Sequence, residues 1–401
     1  MAALSCDVAP VAGALQVRVI DKHDAATALA PAWGRLAREA SAPAFFQSPE
    51  WCLYVWAARM QVEDAPRVRP SLIAVFDGTR LVALLPIVLR RAFGCTIAED
   101  LTEPFGQYSD ALIDRQVDRH AALDLMWDAI KGLDVDALMF RKVRADATIA
   151  PWLGAEARPF GECRHAPFVD LGAFESLANY RKTITSKTRK NLRNYRNRLG
   201  RDGTLTFETL TGTTERAELT RRCLALRAMW LAQSGLSSMA FQHPAFTRIV
   251  AGLADGAPGA PQLRVTRLRH APNDGPAADI AMQWGFVYAG RYYAFMSAKN
   301  AAYDAYSPGR LHLEDIIASC ADTGIGVVDF LVPDMPYKAT WATGRMTVQG
   351  YAMPVTVRGR AVVDGWHGMV RPALKHAFYQ LPSPMRRLAT GLDLRMNTRN
   401  S

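Results

Sequence analysis

The chain has 401 residues, 49% of them hydrophobic and 21% charged, which fits a globular protein of two or three domains with cores of full size and excludes a disordered polymer. Its six cysteines, at 6, 52, 95, 163, 223 and 320, form no C-x-x-C pair and keep no close spacing to histidine, so neither a metal site nor a disulfide framework is expected. The net charge of +10 is concentrated: nine Lys or Arg and no acid lie between Arg181 and Arg201, and six basic residues face only Asp393 from Trp366 onward, so an anionic partner is expected.

In chain order, the apolar patch Val8 to Val17 lacks a basic flank, and no apolar run approaches the roughly 20 residues of a membrane span, so the expected location is the cytoplasm. Leu15 to Ile20 alternates like a strand, and Asp24 to Ala40 has helical periodicity with Trp33 and Leu36 on its apolar side. In F-Q-S-P-E-W-C-L-Y-V at 46 to 55, Ser48 caps and Pro49 opens a helix. Strands are expected at Leu72 to Phe76 and Leu81 to Leu89, joined at Asp77-Gly78, then at Ala111 to Ile113. A helix from Asp118 to Lys131 and a strand from Ala137 to Phe140 follow.

The segment F-Q-H-P-A-F-T-R-I-V at 241 to 250 repeats F-Q-S-P-E-W-C-L-Y-V 195 residues later, and the order of elements repeats with it. Strands are expected at Leu263 to Leu268, Ala278 to Val287 and Arg291 to Ser297. Ser307, Pro308 and Gly309 then open a helix, and Val327 to Leu331 forms a buried strand carrying Asp329. A strand, a turn and a helix N-terminus at one point attract phosphates; an ordinary crossover with a capped helix is the alternative.

Between the halves, Ala178 to Gly200 reads as one helix with Ile184, Leu192, Tyr195 and Leu199 in an apolar stripe. Its cations find no acid at helical spacing, so the segment repels itself unless an anion is present. From Trp366 the tail reads as a docking helix, with a membrane-surface helix as the alternative. The expected division is 1–170, a first unit on the acceptor side; 171–203, a basic helical insertion; 204–360, a second unit with the donor site; and 361–401, a basic tail.

Several of these pieces, S-K-T-R-K-N-L-R-N-Y-R-N-R-L at 186 to 199, R-A-M-W at 227 to 230, Y-D-A-Y-S-P-G-R-L at 303 to 311, and V-D-F-L followed by Y-K-A-T-W, resemble a bacterial GNAT-type acyltransferase family associated with cellulose and exopolysaccharide biosynthesis. The resemblance implies an α/β fold of tandem GNAT-like units with mixed central sheets, similar to that of the peptidoglycan-bridge aminoacyl transferases. It implies acetyl-CoA or another acyl-CoA as co-substrate, bound in the second unit at Tyr306 to Leu311. The first unit has D-R-Q-V-D-R-H-A at the equivalent step, without glycine, and is not expected to bind a donor. The second keeps only Gly309 of the family's longer glycine-containing donor loop.

Acyl transfer from a thioester needs a bound donor, a nucleophilic acceptor and charge stabilisation at the carbonyl oxygen. Asp329 is the candidate base, because burial raises a carboxyl pKa; capping a neighbouring turn is its alternative role. Lys338 is expected to hold a donor phosphate or the oxyanion, and Tyr306 or Tyr337 to protonate the departing thiolate, with Tyr306, Asp329 and Lys338 in one cleft. Ser307, Gly309, Arg310, Lys187, Arg189 and Lys190 are assigned to the donor. Tyr108, Asp110, Gln283 and Trp341 are assigned to an acceptor between the halves, and His312 is as well explained by packing. The implied partners are a glycan or glycan-precursor acceptor and an inner-membrane polysaccharide synthase. An aminoacyl-tRNA-dependent transferase, whose RNA the basic helix would hold, and a non-catalytic synthase subunit are the competing functions.

Overall fold

The computed structural model describes residues 14–380 apart from 41, 43, 65–66, 93 and 235–237. Its first run of elements is β1 (Gln16–Ile20), α1 (His23–Glu39), α2 (Pro49–Met60), β2 (Val68–Asp77), β3 (Arg80–Ala92), β4 (Cys95–Asp100), β5 (Leu112–Ile113), α3 (Arg119–Lys131), β6 (Ala137–Arg144), α4 (Ala150–Glu156) and β7 (Arg158–Asp170). Two helices, α5 (Leu177–Thr183) and α6 (Ser186–Asp202), lead into a second run. It comprises β8 (Gly203–Leu210), α7 (Thr213–Ser234), α8 (Met239–Gln242), α9 (Pro244–Asp255), β9 (Leu263–Pro272), β10 (Ala278–Tyr288), β11 (Arg291–Lys299), α10 (Pro308–Asp322), β12 (Val327–Asp329), α11 (Pro336–Ala339) and β13 (Gly344–Pro354). Helix α12 (Val357–Arg360), a π-helical segment (Ala361–Val370) and α13 (Arg371–Gln380) close the described chain. The N-terminal part of the Val8 to Val17 patch and the tail beyond Gln380 lie outside the described residues.

All the strands join one sheet in the order β1-β2-β3-β4-β6-β13-β7-β12-β11-β10-β9-β8, with β5 paired to β3. Each run contributes an antiparallel meander that ends in one parallel pair. In the first, Ile97 of β4 faces Ala137 of β6 across the α3 crossover; in the second, Arg291 of β11 faces Val327 of β12 across α10. The last strands are exchanged. β7 pairs with β12 of the second run, β13 pairs with β6 of the first, and β7 and β13 pair with each other. The duplication anticipated from F-Q-S-P and F-Q-H-P is therefore present in the topology, and the exchange fuses its two copies into one sheet.

The repeated segments meet at the centre of the molecule. Ser48 accepts the Trp51 N–H at the start of α2, and His243 accepts the Ala245 N–H at the start of α9, so different side chains cap equivalent helices. Tyr54 on α2 donates to the Ile249 carbonyl on α9 at 2.9 Å, and the separation of 195 residues equals the repeat offset. Beside this contact Phe45 of the first run stacks on Phe286 of the second with centroids 4.6 Å apart, and Trp51 meets Phe286 edge to face. Such pairs contribute about 0.5–1.5 kcal/mol each beyond burial.

The basic helix differs from the expectation of one unbroken element. Ile184 is extended, Thr185 caps α6 through the Thr188 N–H, and the Arg189 guanidinium donates to the carbonyls of Arg181, Lys182 and Ile184. A β-branched pair followed by a capping hydroxyl ends one helix and starts another.

Candidate functional site

Helices α3 and α10 occupy equivalent crossovers, yet their N-termini are finished differently. At α3 the Asp118 carboxylate accepts the His120 and Ala121 N–H groups at 2.9 and 3.2 Å, so the helix caps itself with its own anion. At α10 the Ser307 side chain makes no cap, contrary to expectation; Ser307 takes a left-handed conformation with φ 49°. Its carbonyl receives the Arg310 and Leu311 N–H groups, Pro308 has none to give, and the Gly309 N–H is left as the open donor of that turn among the described hydrogen bonds. A Cβ at Gly309 would meet nothing within 4 Å.

Cations gather around this opening. Arg310 Nε is buried without a hydrogen-bond partner, and the Arg198 guanidinium lies 4.8 Å over the Tyr306 ring. Helix α6 is held against α10 by Arg196, which bonds Glu314 at 3.0 Å, Asp315 at 2.6 Å and the Leu311 carbonyl at 3.2 Å. The basic helix thus does meet acids, supplied by a neighbouring helix rather than by its own sequence, while Lys187, Lys190 and Arg193 remain exposed.

Asp329 is completely buried at the end of β12, and its geometry corrects the role of a base. Oδ1 accepts the Tyr108 hydroxyl at 2.8 Å and the Leu331 N–H at 2.9 Å; Oδ2 accepts Arg144 at 3.1 Å and Arg291 at 3.2 Å. Four donors, two of them from guanidinium groups, occupy both oxygens of this buried carboxylate, so no face of it is left for a substrate. Burial pushes the Tyr108 phenol well above its ordinary pKa, and Asp329 adds to the rise. Tyr108 is therefore a bolt between the two runs rather than an acceptor contact.

Lys338 is likewise corrected. Its ammonium donates to the carbonyls of Phe330, Leu331 and Pro333 at 2.8, 3.1 and 2.8 Å, so all three donors hold the turn after β12 and none is left for a donor phosphate or an oxyanion. Burial lowers its pKa to about 8, with the Asp329 charge acting in the opposite sense. Tyr306 meets Arg198 and Tyr303 and packs against the core beneath α10, and among the described hydrogen bonds none joins it to Asp329 or Lys338.

The acceptor residues are also interior. Asp110 accepts the N–H groups of Ala111, Thr148 and Ile149, which secures the start of α4, and burial raises its carboxyl to about 6. Gln283 donates to the Trp284 carbonyl, and Trp341 is buried in the core with its carbonyl accepting Tyr180 at 2.8 Å. Of the donor residues on the basic helix, Arg189 is spent on the end of α5, whereas Lys187 and Lys190 stay in solvent. A cleft of about 480 Å³ lined by Thr183, Thr185, Thr188, Thr340 and Thr343 lies where the two motifs S-K-T-R-K and K-A-T-W meet.

Arg144 and Arg291 were not singled out in the sequence, whereas Arg198 belongs to the basic helix expected to face the donor's phosphates or an anionic acceptor. The signal for the first was the run Phe140-Arg141-Lys142-Val143-Arg144, three cations in the continuation of a strand expected to be central. Among the described residues no group of three His, Cys, Asp or Glu is placed to hold a metal ion.

Residues 186–339, from the start of α6 to the end of α11, match the acetyltransferase (GNAT) domain model. The fold is a tandem GNAT-like one. It is similar to the crystal structure of FemX, at 9% identity and a TM-score of 0.59 over 83% of this chain and 97% of that one. The C-terminal domain of a candidate lysylphosphatidylglycerol synthetase from Agrobacterium fabrum, at 15% identity, has a TM-score of 0.50 over 86% and 96% of the two chains. A conserved protein of unknown function from Bacteroides thetaiotaomicron, at 11% identity, has a TM-score of 0.50 over 84% and 100%. No curated protein matches the sequence. The GNAT match, which embraces α6, α10 and the turn between β11 and α10, supports a transferase.

Proposed function

We propose that the protein is an acyltransferase that takes an acyl group from acetyl-CoA, another acyl-CoA or a carrier thioester, and passes it to a hydroxyl or amine of an envelope polysaccharide or its precursor. The observation that carries this reading is the difference between the two helix N-termini. Asp118 closes α3 with a carboxylate, while the first turn of α10 keeps an open Gly309 N–H beside Arg310, whose buried Nε has no partner, with the Arg198 guanidinium over Tyr306 just before it. In the reaction the acceptor oxygen or nitrogen forms a bond to the acyl carbon, the carbon–sulfur bond breaks, and the acceptor's proton leaves with the thiolate. The protein's part is to position the donor; with Asp329 and Lys338 engaged in the interior, no side chain of theirs serves as base or acid.

A second reading, transfer from an aminoacyl-tRNA, is favoured by one observation: Lys187, Lys190, Arg193 and Arg201 on α6 are exposed, which is more positive surface than a diphosphate requires. Thermal denaturation with acetyl-CoA, a long-chain acyl-CoA and bulk tRNA separates the two. A higher melting temperature with a CoA thioester supports the thioester reading; a rise with tRNA alone replaces it with the second; no rise with any of them overturns both and leaves a non-catalytic subunit of a polysaccharide synthase.

A further inference from the structure

The helical segment from Val357 to Gln380 takes no part in the donor site. Its beginning is clamped to the body: the Val355 and Thr356 N–H groups donate to the Asp136 carbonyl at 2.8 and 3.2 Å, and Gly359 backs onto that same carbonyl with no room for a Cβ. The π-helical turn buries Val363 and sets His367 5.7 Å from the Phe160 ring of β7. Beyond it, α13 packs substantially, among the described elements, only on the π-helical segment it continues.

The segment exposes large apolar side chains among cations, with Arg358, Arg360 and Arg371 also in solvent. Trp366 is 43% exposed, Met369 66% and Val370 44% in the π-helical segment, and Leu374 57% in the first turn of α13 that continues it. Val357, at 82%, extends the exposure toward the clamp. The sequence around these side chains is basic, with eight Lys or Arg against two Asp from Val357 to Ser401, and Asp364 is already paired with Arg158.

We propose that this segment rests in the interfacial plane of an anionic lipid bilayer, with Trp366, Met369 and Leu374 at the boundary between headgroups and acyl chains and the cations on lipid phosphates. Charge decides among the candidate occupants. A second copy would bring two strongly positive segments together, and residues 381–401 carry four Arg against one Asp, so neither neutralises the segment. A surface of anionic headgroups does, and it also takes the apolar side chains and the indole, whose amphipathic ring suits that depth. No helix among the described residues is long and apolar enough to cross a membrane, so the contact is one of lying on the bilayer.

Co-sedimentation of the full chain with phosphatidylcholine vesicles, with and without roughly one-third phosphatidylglycerol, tests this. The expected result is binding to the anionic vesicles that weakens with salt, and a loss of at least about ten-fold in the Trp366→Glu/Met369→Glu/Leu374→Glu variant. That variant changes exposed positions only, and an unaltered far-ultraviolet spectrum and melting temperature certify its fold. Absence of binding by the full chain, or equal binding by the variant, overturns the proposal. A dimer that the variant dissolves, without vesicle binding, overturns it in favour of a second copy. The donor's effect on the melting temperature is expected to be the same in both proteins, so this test and that of the donor site fail separately.

Discussion

Tyr108 and Asp329 are 221 residues apart in the chain and joined by a 2.8 Å hydrogen bond in the interior, with Arg144 from the first run and Arg291 from the second on the other carboxylate oxygen. Because the last strands of the two runs are exchanged, β12 lies beside β7, and the end of β12 reaches the residues of the first run that surround Asp329. The carboxylate therefore joins the two copies electrostatically at the point where the sheet joins them through backbone hydrogen bonds.

Removing that charge takes from Arg144 and Arg291 the buried oxygen they share, leaving Arg144 with Asp146 as its remaining carboxylate. Asp329→Asn is expected to destabilise the fold by about 3–5 kcal/mol, as for other buried pairs that lose one partner. Tyr108→Phe is expected to cost about 1–3 kcal/mol. The two should be non-additive, with a coupling of about 0.5–3 kcal/mol in a double-mutant cycle measured by guanidinium denaturation. Additive losses would mean that the hydroxyl and the carboxylate act independently.

Gly309→Asp separates binding from folding. Nothing stands within 4 Å of the new Cβ, and an acid in the first helical turn favours the helix by about 0.3–1 kcal/mol, so the melting temperature is expected to hold or rise. The same carboxylate occupies the place proposed for the donor's diphosphate, as Asp118 does at α3. The KM for the thioester is expected to increase at least about ten-fold, the equivalent of 1.4 kcal/mol. An unchanged KM would remove the α10 N-terminus from the donor site.

The contrast between α3 and α10 was legible in the sequence, because Asp118 and Gly309 are local signals and a helix end is a local structure. The repeat was legible too, from one F-Q-x-P match and a shared order of elements. The roles of Asp329 and Lys338 were not. An aspartate in an apolar strand reads equally as a base or as a buried anion, and what decides is the pair of arginines, one of which, Arg144, lies 185 residues away. Lys338 was misplaced for a related reason: its partners are backbone carbonyls of a turn, which carry no sequence signature at all. The broken basic helix was hidden by the continuous run of cations, since the carbonyls that Arg189 satisfies exist only once the chain has turned at Ile184.

His312 gives a pH dependence with a definite sign. It is buried on α10, its Nε2 has no partner, and burial lowers its pKa from 6.5 to about 3. Between those values the unfolded chain binds a proton that the folded chain refuses, so this contribution to stability is complete above about pH 6.5 and is lost as the pH falls toward 3. The loss approaches 1.4 kcal/mol per pH unit at its steepest, and His312→Leu is expected to remove it. Denaturation midpoints of both proteins from pH 7 to 4 would show the difference; parallel curves would mean that the imidazole is protonated in the fold.

The contact between equivalent helices can be tested through a glycine. Gly252 lies inside α9, where alanine ordinarily gains about 1 kcal/mol of helix stability. Here a Cβ would collide with the Tyr54 hydroxyl, which bonds the Ile249 carbonyl one turn earlier. Gly252→Ala therefore forces the phenol to give up that bond and to repack beside α9. The expected outcome is a net loss of about 1 kcal/mol instead of a gain. Shortening the obstacle with Tyr54→Phe should make alanine at 252 less costly than it is in the native background, measured as a difference in unfolding free energy. If alanine stabilises the native protein by its full helix propensity, α2 and α9 are not held at the distance on which the joining of the two runs depends.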